Sequence, residues 1–331
     1  MQEPLVSVHM ITYNHAPYIA QAIECVLAQQ TDFPFELVIG EDCSTDGTRE
    51  IVFDSAKKHP DIIRVITSDK NVGMKANSYR TTQACRGKYI AWCEGDDCWH
   101  RDNKLQLQAE YLEAHSDCGL VHSDHDRFFA DTGKTIKLFF CATHNVPPPD
   151  FNVFFGWGGI YNILTCTVMA RKQYVDAITV DQFVYHDPQR IGGTDIPLFI
   201  EISMRSKTHY FNESLATYTV LRESASNTKS EKKKAHFVKS NLETYLYLAK
   251  KYNGKNEVKH FEHRLQRANQ WVAFWDKNEK TALELKNNSQ FSLKSWILYI
   301  GTINRLASFF FHPTIAAYIR LKNKYSRLLK G

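Results

Sequence analysis

The sequence has no uninterrupted apolar run near the ~18–20 residues that a membrane-spanning helix needs, so no spanning helix is expected. No basic-then-apolar stretch precedes the first strand pattern, which argues against a secretory signal. The eight cysteines form no Cys-x-x-Cys pair and no zinc-like spacing. Most lie in apolar runs such as Ala91-Trp92-Cys93, so they read as reduced, packed thiols of a cytoplasmic protein. There is no Gly-x-x-x-x-Gly-Lys-Ser/Thr loop and no Gly-x-Gly-x-x-Gly after a strand, which argues against kinases and dinucleotide dehydrogenases. No internal repeat or low-complexity tract interrupts the 331 residues, a length sufficient for a full core.

Acid is scarce in one part of the chain. From Lys229 onward there are 21 Lys and Arg against 7 Asp and Glu, whereas the first 228 residues hold 20 against 29. Such asymmetry suggests a polyanionic partner such as membrane lipid or a phosphorylated substrate, or else a solvated helical surface.

Through residue 122 the pattern alternates between strand and helix. Strands are predicted at Val6 to Thr12, Phe35 to Ile39, Ile62 to Thr67, Tyr89 to Cys93 and Gly119 to His122. Helices are predicted at Tyr18 to Ala28, Thr48 to Lys58, Met74 to Cys85 and Asn103 to His115. Strands separated by helices of this length indicate βαβ units and a parallel sheet covered on both faces. Further on, Leu164 to Ala170, His209 to Phe211 and Leu215 to Leu221 read as strands, and Asp195 to Met204 as a helix. Helical patterns cover Lys232 to Tyr252, Glu257 to Leu285 and Leu293 to Leu328. The expected organisation is an α/β domain over residues 1–227, followed by a basic helical region over 228–331.

Ligands of such sheets bind at the carboxyl ends of the strands. Thr12-Tyr13-Asn14, Glu41-Asp42, Ser68 through Gly73, and Glu94-Gly95-Asp96-Asp97 all fall there. Three carboxylates in four residues repel one another unless a cation or hydrogen-bond donors compensate. A hard divalent ion, Mg²⁺ or Mn²⁺, uses one or two carboxylates together with phosphate oxygens. The duller role, an acidic start for the helix at Asn103, fails because that helix begins too late to be capped by the whole cluster.

Val6-Ser7-Val8 through Thr12-Tyr13-Asn14, Glu41 through Thr48, Asn71-Val72-Gly73, and Tyr89 through Trp99 with Lys104-Leu105 resemble glycosyltransferase family 2, in its order and spacing. The resemblance covers about residues 4–125 and continues more weakly to about 227. It implies a GT-A fold, a Rossmann-like, mostly parallel α/β sheet, and sugar transfer with inversion from a nucleoside diphosphate sugar, UDP being the expected carrier. Thr12, Tyr13, Asn14 and Asp42 match the base-contacting positions. Asn71, Gly73 and Asn77 match the loop and helix start beside the nucleotide. Glu94, Asp96 and Asp97 match the Asp-x-Asp-type motif, with Glu replacing the first Asp. Asp96 and Asp97 are the expected metal ligands, with Asp96 and Glu94 also near the donor.

Gly192-Gly193-Thr194-Asp195 resembles the acidic motif at a helix start that carries the catalytic base, so Asp195 is the candidate and Asp187 the reserve. An inverting transfer needs one such carboxylate beside the acceptor hydroxyl. Where relatives often carry Tyr-Arg-x-His, this chain has Tyr218-Thr219-Val220-Leu221, with Arg222 next in line. His122 through Asp126 reads as a polar strand edge near an acceptor cleft rather than a second metal site. Phe154, Phe155, Trp157 and Tyr161 could equally stack on an acceptor sugar or pack under a loop.

Ser292 to Gly331 carries seven Lys and Arg, no acid, and apolar clusters such as Phe309-Phe310-Phe311. Three roles fit it: a helix on an anionic membrane surface, packing on the catalytic domain, or contact between copies of the chain. The implied acceptor is a glycan or a polyprenyl-diphosphate-linked oligosaccharide at the inner face of the cell membrane. No nucleic-acid-binding module is present. A nucleotidyltransferase would share the topology but should carry a Gly-rich basic signature near the N-terminus, which is missing. A non-catalytic scaffold sits poorly with intact carboxylates at both Asp97 and Asp195.

Overall fold

The computed structural model describes residues 3–139, 163–187, 190–221, 228, 230–278, 280–281 and 283–284. The chain divides into two compact units, Met1–Gln189 with Gly193–Leu221, and Arg190–Gly192 with Arg222–Gly331.

Among the described residues the first unit is built on a nine-stranded sheet. Strands β1 (Val6–Thr12), β2 (Phe35–Glu41), β3 (Ile63–Ile66) and β4 (Tyr89–Trp92) pair in the order β3-β2-β1-β4, all parallel. Val6, Val8, Met10, Leu37, Ile39, Tyr89 and Ala91 are fully buried, which is why these strands read as apolar runs without alternation. Helices α1 (Ile19–Leu27), α2 (Thr48–Lys58), α3 (Met74–Ala84) and α4 (Lys104–Ala114) supply the connections. The sheet continues through β8 (Met169–Arg171), β6 (Cys118–Phe129), β9 (Lys207–Val220) and β5 (Cys98–Trp99), with β7 (Lys134–Ile136) hairpinned onto β6. Because β8 is antiparallel to both β4 and β6, while β9 is parallel to β6, six of the nine strands run one way. The expected mostly parallel α/β sheet is therefore present, closed at its far side by mixed pairing. Helices α5 (Lys172–Ile178) and α6 (Asp195–Ser203) complete the unit.

Several local expectations are corrected. The strand predicted over Leu164 to Ala170 begins as a 3₁₀ turn, Thr165–Thr167, because Thr167 closes on Leu164 O through both its hydroxyl (2.7 Å) and its N–H (3.0 Å). The two strands predicted at His209 and Leu215 are one continuous β9. His122 through His125 do not form a strand edge. They are buried in β6, an interior strand between β8 and β9, and register shifts around Asp124 break the simple alternation of faces. The uniformly reduced cysteines are corrected as well: α1 packs on β5, and Cys25 is disulfide-bonded to Cys98. Cys43, Cys85, Cys93, Cys118 and Cys166 are free thiols, all but Cys43 buried.

Burial gives the first unit a pH sensitivity on the acid side. His9 is enclosed on β1, its Nε2 against Ser78 O at 3.1 Å and its Nδ1 without a partner, and desolvation lowers its pKa to about 4. His122 is lowered to about 3, again mainly by burial. Between their unfolded pKa near ~6.5 and these folded values, the unfolded chain binds more protons than the native one, so stability falls as pH falls. Each histidine should withdraw about 1.4 kcal/mol per pH unit across that window. Thermal melts from pH 7 to pH 4.5 should show a steep loss of Tm, made shallower by His9→Asn. A flat profile, or one the substitution does not alter, would contradict this account.

The second unit contains α7 (Glu231–Lys251) and α8 (Lys255–Asp276). Ser230 caps α7 by accepting from Lys233 N, and Asp276 pairs with Lys232 and His236, so the two helices run antiparallel. The two helices pack against each other, and Leu242, Leu248, Phe261 and Phe274 on them are buried. Arg190 joins this unit by donating to Ser240 O and to the Thr244 hydroxyl. Among the described residues no helix is long and apolar enough to cross a membrane. The aromatic segment at 154–161, Arg222 and the basic stretch 292–331 lie outside the described residues.

Candidate active site

Parallel pairing sets Thr12 level with Glu41 at the carboxyl edge of the sheet, so the loops that follow β1 and β2 lie side by side. They are laced together. Asn14 takes a left-handed backbone (φ 55°), donates its N–H to Ser44 Oγ, and accepts from Thr45 N at Oδ1. His15 N donates to Thr48 Oγ1 and Ala16 N to Asp46 Oδ2. Asn14 is thus committed to bracing this edge, while Tyr13 stands exposed beside it.

Asp42 is buried and clamps the loop before α3: Oδ1 accepts from Val72 N (2.8 Å) and Oδ2 from Gly73 N (3.0 Å), with Arg80 3.7 Å away. Asn71 Oδ1 also accepts from Gly73 N, and Gly73 holds φ 87°, which a side chain would strain. Asn77 lies beneath, its amide donating to Gly40 O and its oxygen accepting from Arg80 Nε. Asp42, Asn71 and Gly73 converge as the sequence suggests, whereas Asn77 is an internal buttress of this edge.

The acidic turn follows β4. Asp97 N donates to Glu94 O, and Gly95 N donates to Ile11 O, which draws the turn against β1. A Cβ at Gly95 would come within 2.7 Å of Thr12 Oγ1, so only glycine permits this approach. The three carboxylates face different surroundings. Burial raises the pKa of Glu94 to about 8, helped by the negative charges of Asp96 and Asp195. Burial also raises Asp96, against the opposing pull of His15, whose Nδ1 lies 4.0 Å from Asp96 Oδ1. Asp97 is pushed well up by burial and then by Asp96 and Glu94, although Thr219 N donates to its Oδ1 at 2.9 Å.

Asp195 opens α6 at the same centre, close enough to contribute to the shift of Glu94, and burial raises its own pKa. Asp187, the reserve candidate, follows the π-helical turn Gln182–His186. His15, the Thr219 N–H, and the side chains of Thr165 and Cys166, which oppose the rise in the pKa of Glu94 and Asp97, were not singled out from the sequence. Only His15 had a local signal, as the residue next to the Thr12-Tyr13-Asn14 block.

Among the described residues, three buried polar atoms here have no hydrogen-bond partner: Thr12 Oγ1, His15 Nδ1 and Glu94 Oε2. Native interiors leave few such atoms, and a group of them around mutually repelling carboxylates marks a place where something binds. Among the described residues no three His, Cys, Asp or Glu side chains form a metal cage. The donor set fits a hard cation held by one or two carboxylates and completed by phosphate oxygens and water.

The family model described as "Glycosyl transferase family 2" matches residues 7–177, more than half of the chain. The chain belongs to that family. Among sequence relatives, an uncharacterised protein of Mycobacterium tuberculosis is 41% identical over 109 residues, 33% of this chain and 32% of its own. The chain thus matches about a third of the length of that relative. A putative teichuronic acid biosynthesis glycosyltransferase of Bacillus subtilis, TuaG, is 29% identical over 245 residues, 73% of this chain and 89% of its own. Among solved structures, S. aureus TarS 1-349 in complex with UDP-GlcNAc superposes with a TM-score of 0.54 at 17% identity, covering 90% of this chain and 79% of that one. The mannosyltransferase PcManGT of Pyrobaculum calidifontis, in complex with GDP-Man and Mn2+, gives 0.54 at 18% identity, covering 98% and 88%. These structural likenesses establish the fold. The family 2 chain has the GT-A architecture with helices following the sheet domain, as the sequence motifs imply.

Proposed function

We propose that the chain is an inverting glycosyltransferase that moves one sugar from a UDP-linked donor to a glycan or polyprenyl-diphosphate-linked acceptor during surface polysaccharide synthesis. The observation that carries this reading is the convergence of Thr12 Oγ1, His15 Nδ1 and Glu94 Oε2, none of them hydrogen-bonded among the described residues, with Asp96, Asp97 and Asp195 at one strand edge. The B. subtilis relative named for teichuronic acid biosynthesis supports the polysaccharide assignment, and the UDP-GlcNAc complex of the S. aureus protein supports the carrier.

In this reading residues 1–227 form the catalytic domain, and 228–331 a basic helical region serving membrane-surface contact, packing or self-association. Thr12, Tyr13, Asp42, Asn71 and Gly73 make up the nucleotide side of the site, with Asn14 and Asn77 bracing it from within. Asp42 both fixes the 72–73 loop and offers its remaining lone pairs to the base or ribose. Asp96 and Asp97 hold Mn²⁺ or Mg²⁺, with Glu94 beside the donor. The cation supplies charge neutralisation for the departing diphosphate. Asp195 takes the proton of the acceptor hydroxyl.

Donor hydrolysis should be screened across UDP-, GDP-, CDP- and dTDP-sugars with Mn²⁺ and with chelator. A UDP-sugar should be consumed with Mn²⁺ and spared with chelator. Turnover that survives chelation would sink the metal assignment, and release of a sugar 1-phosphate instead of UDP would indicate nucleotidyl transfer.

A further inference from the structure

Lys104 is the first residue of α4 and is completely buried. Three features of its setting are unfavourable for a cation. A helix start favours anions, burial strips the ammonium of water, and among the described residues no carboxylate lies within ion-pairing distance. What Nζ does have is Gln108 Oε1 at 2.8 Å and the ring of Trp99, whose centroid is 4.2 Å away.

Both of those neighbours reach the same short segment. Gln108 Nε2 donates to Thr167 O at 2.8 Å, and Trp99 Nε1 donates to Cys166 O at 2.8 Å. That segment is the 3₁₀ turn Thr165–Thr167, whose Thr165 and Cys166 side chains lie near enough to Glu94 and Asp97 to oppose the rise in their pKa values. The buried thiols Cys93 and Cys166 are each influenced by Lys104 and, in the opposite sense, by Glu94 and Asp97, so the lysine and the acidic turn share these two neighbours.

We propose that Lys104 is a positioning residue of the donor site: from the protein side it holds the Thr165–Thr167 turn, and through that turn Glu94 and Asp97, in the arrangement that receives a cation-bound nucleoside diphosphate. This rests on the reading of the acidic turn as the donor site. Desolvation lowers the pKa of Lys104 to about 7, so what it gives the carboxylate cluster is the set of contacts it fixes rather than a standing charge, and it is too enclosed to compete for the ligand. The shape of the contacts gives it a second task. Gln108 and Trp99 meet over one ammonium, so a single side chain sets the spacing between α4, β5 and the 165–167 turn.

The test measures Mn²⁺–UDP binding by Mn²⁺ paramagnetic resonance and donor KM, alongside far-UV circular dichroism and Tm, on the full chain. Wild type should bind Mn²⁺ together with UDP. Lys104→Met should weaken that binding by about 10-fold or more, the scale seen when residues that orient metal ligands are removed. Donor KM should rise while acceptor KM holds and the helical signal is retained, and Lys104→Arg should recover part of the loss. Trp99→Phe keeps a ring under the ammonium but deletes the N–H to Cys166 O, and should weaken binding in the same direction by a smaller factor. A purely structural lysine would lower Tm and leave Mn²⁺–UDP affinity in the folded fraction unchanged, and that result overturns the proposal. If Lys104→Met fails to fold, Trp99→Phe decides alone, wild-type affinity again overturning it. Absence of Mn²⁺–UDP binding in the wild type would instead refute the donor-site reading beneath it.

Discussion

Asp195→Asn should abolish sugar transfer while leaving the donor bound. The substitution keeps the size of the side chain at the start of α6 and removes only its ability to accept a proton. Removing a general base costs roughly 10²–10⁴-fold in rate, and a drop in kcat of about a thousandfold is expected here. Burial raises the pKa of Asp195, which brings it nearer the operating pH and makes it a better base than an ordinary surface carboxylate. UDP affinity in the presence of Mn²⁺ should stay near the wild-type value, because Asp195 sits at a helix start separate from the turn that carries Asp96 and Asp97. Steady-state kinetics with the UDP-sugar found in the screen, together with calorimetric UDP binding, checks both halves. If Asp195→Asn still transfers sugar while an Asp97 variant does not, the base lies elsewhere and Asp187 is the next residue to replace.

Asp97→Asn should separate function from stability in the opposite way. Its carboxylate is enclosed, accepts from Thr219 N, and has its pKa pushed well up by burial and by two neighbouring acids. A raised folded pKa means that the native state holds its proton more tightly than the unfolded chain does. The associated stability is present at low pH and is lost as pH rises through the folded value. Asparagine cannot ionise, yet its oxygen still accepts the Thr219 N–H. The metal-free variant should therefore melt at a higher temperature than wild type at pH 8, with the gap closing toward pH 5. Its Mn²⁺-dependent UDP binding and transfer should both fall by two orders of magnitude or more, about the upper end of losses on altering a metal site. A metal-free variant that is less stable than wild type at pH 8 would show that the charge at Asp97 is compensated within the protein itself.

Local signals carried the near half of the sheet. Val6–Thr12 and Thr48–Lys58 have the bounds that their residue patterns predict, because an apolar run buried on two faces and a helix with Gly47 before it are decided within a few residues. The acidic turn could be located at a strand end for the same reason. What surrounds it could not. Thr219, whose N–H holds Asp97, is 122 positions away and reaches it only because β5 pairs with β9. β5 itself is two residues long and has no period to read. The turn at Thr165–Thr167 resembled a strand because Leu164 through Ala170 is apolar and β-branched, and side-chain hydrogen bonding to Leu164 O outweighed that preference. Asp42 was legible as a polar residue at a strand end, but its grip on Val72 and Gly73 depends on where α3 docks.

The bond between Cys25 and Cys98 also bears on the chain when it is not folded. It joins residues 73 apart, and the ring it closes encloses β2, β3, β4 and the acidic turn, the larger part of the proposed nucleotide side. In oxidising surroundings the denatured ensemble is tied into a loop of that size and loses entropy, by about 4 kcal/mol in the chain-closure model. In reducing surroundings the same sequence starts from an open coil. One native fold thus faces two different unfolded states, and the surrounding redox potential selects which of them sets its stability.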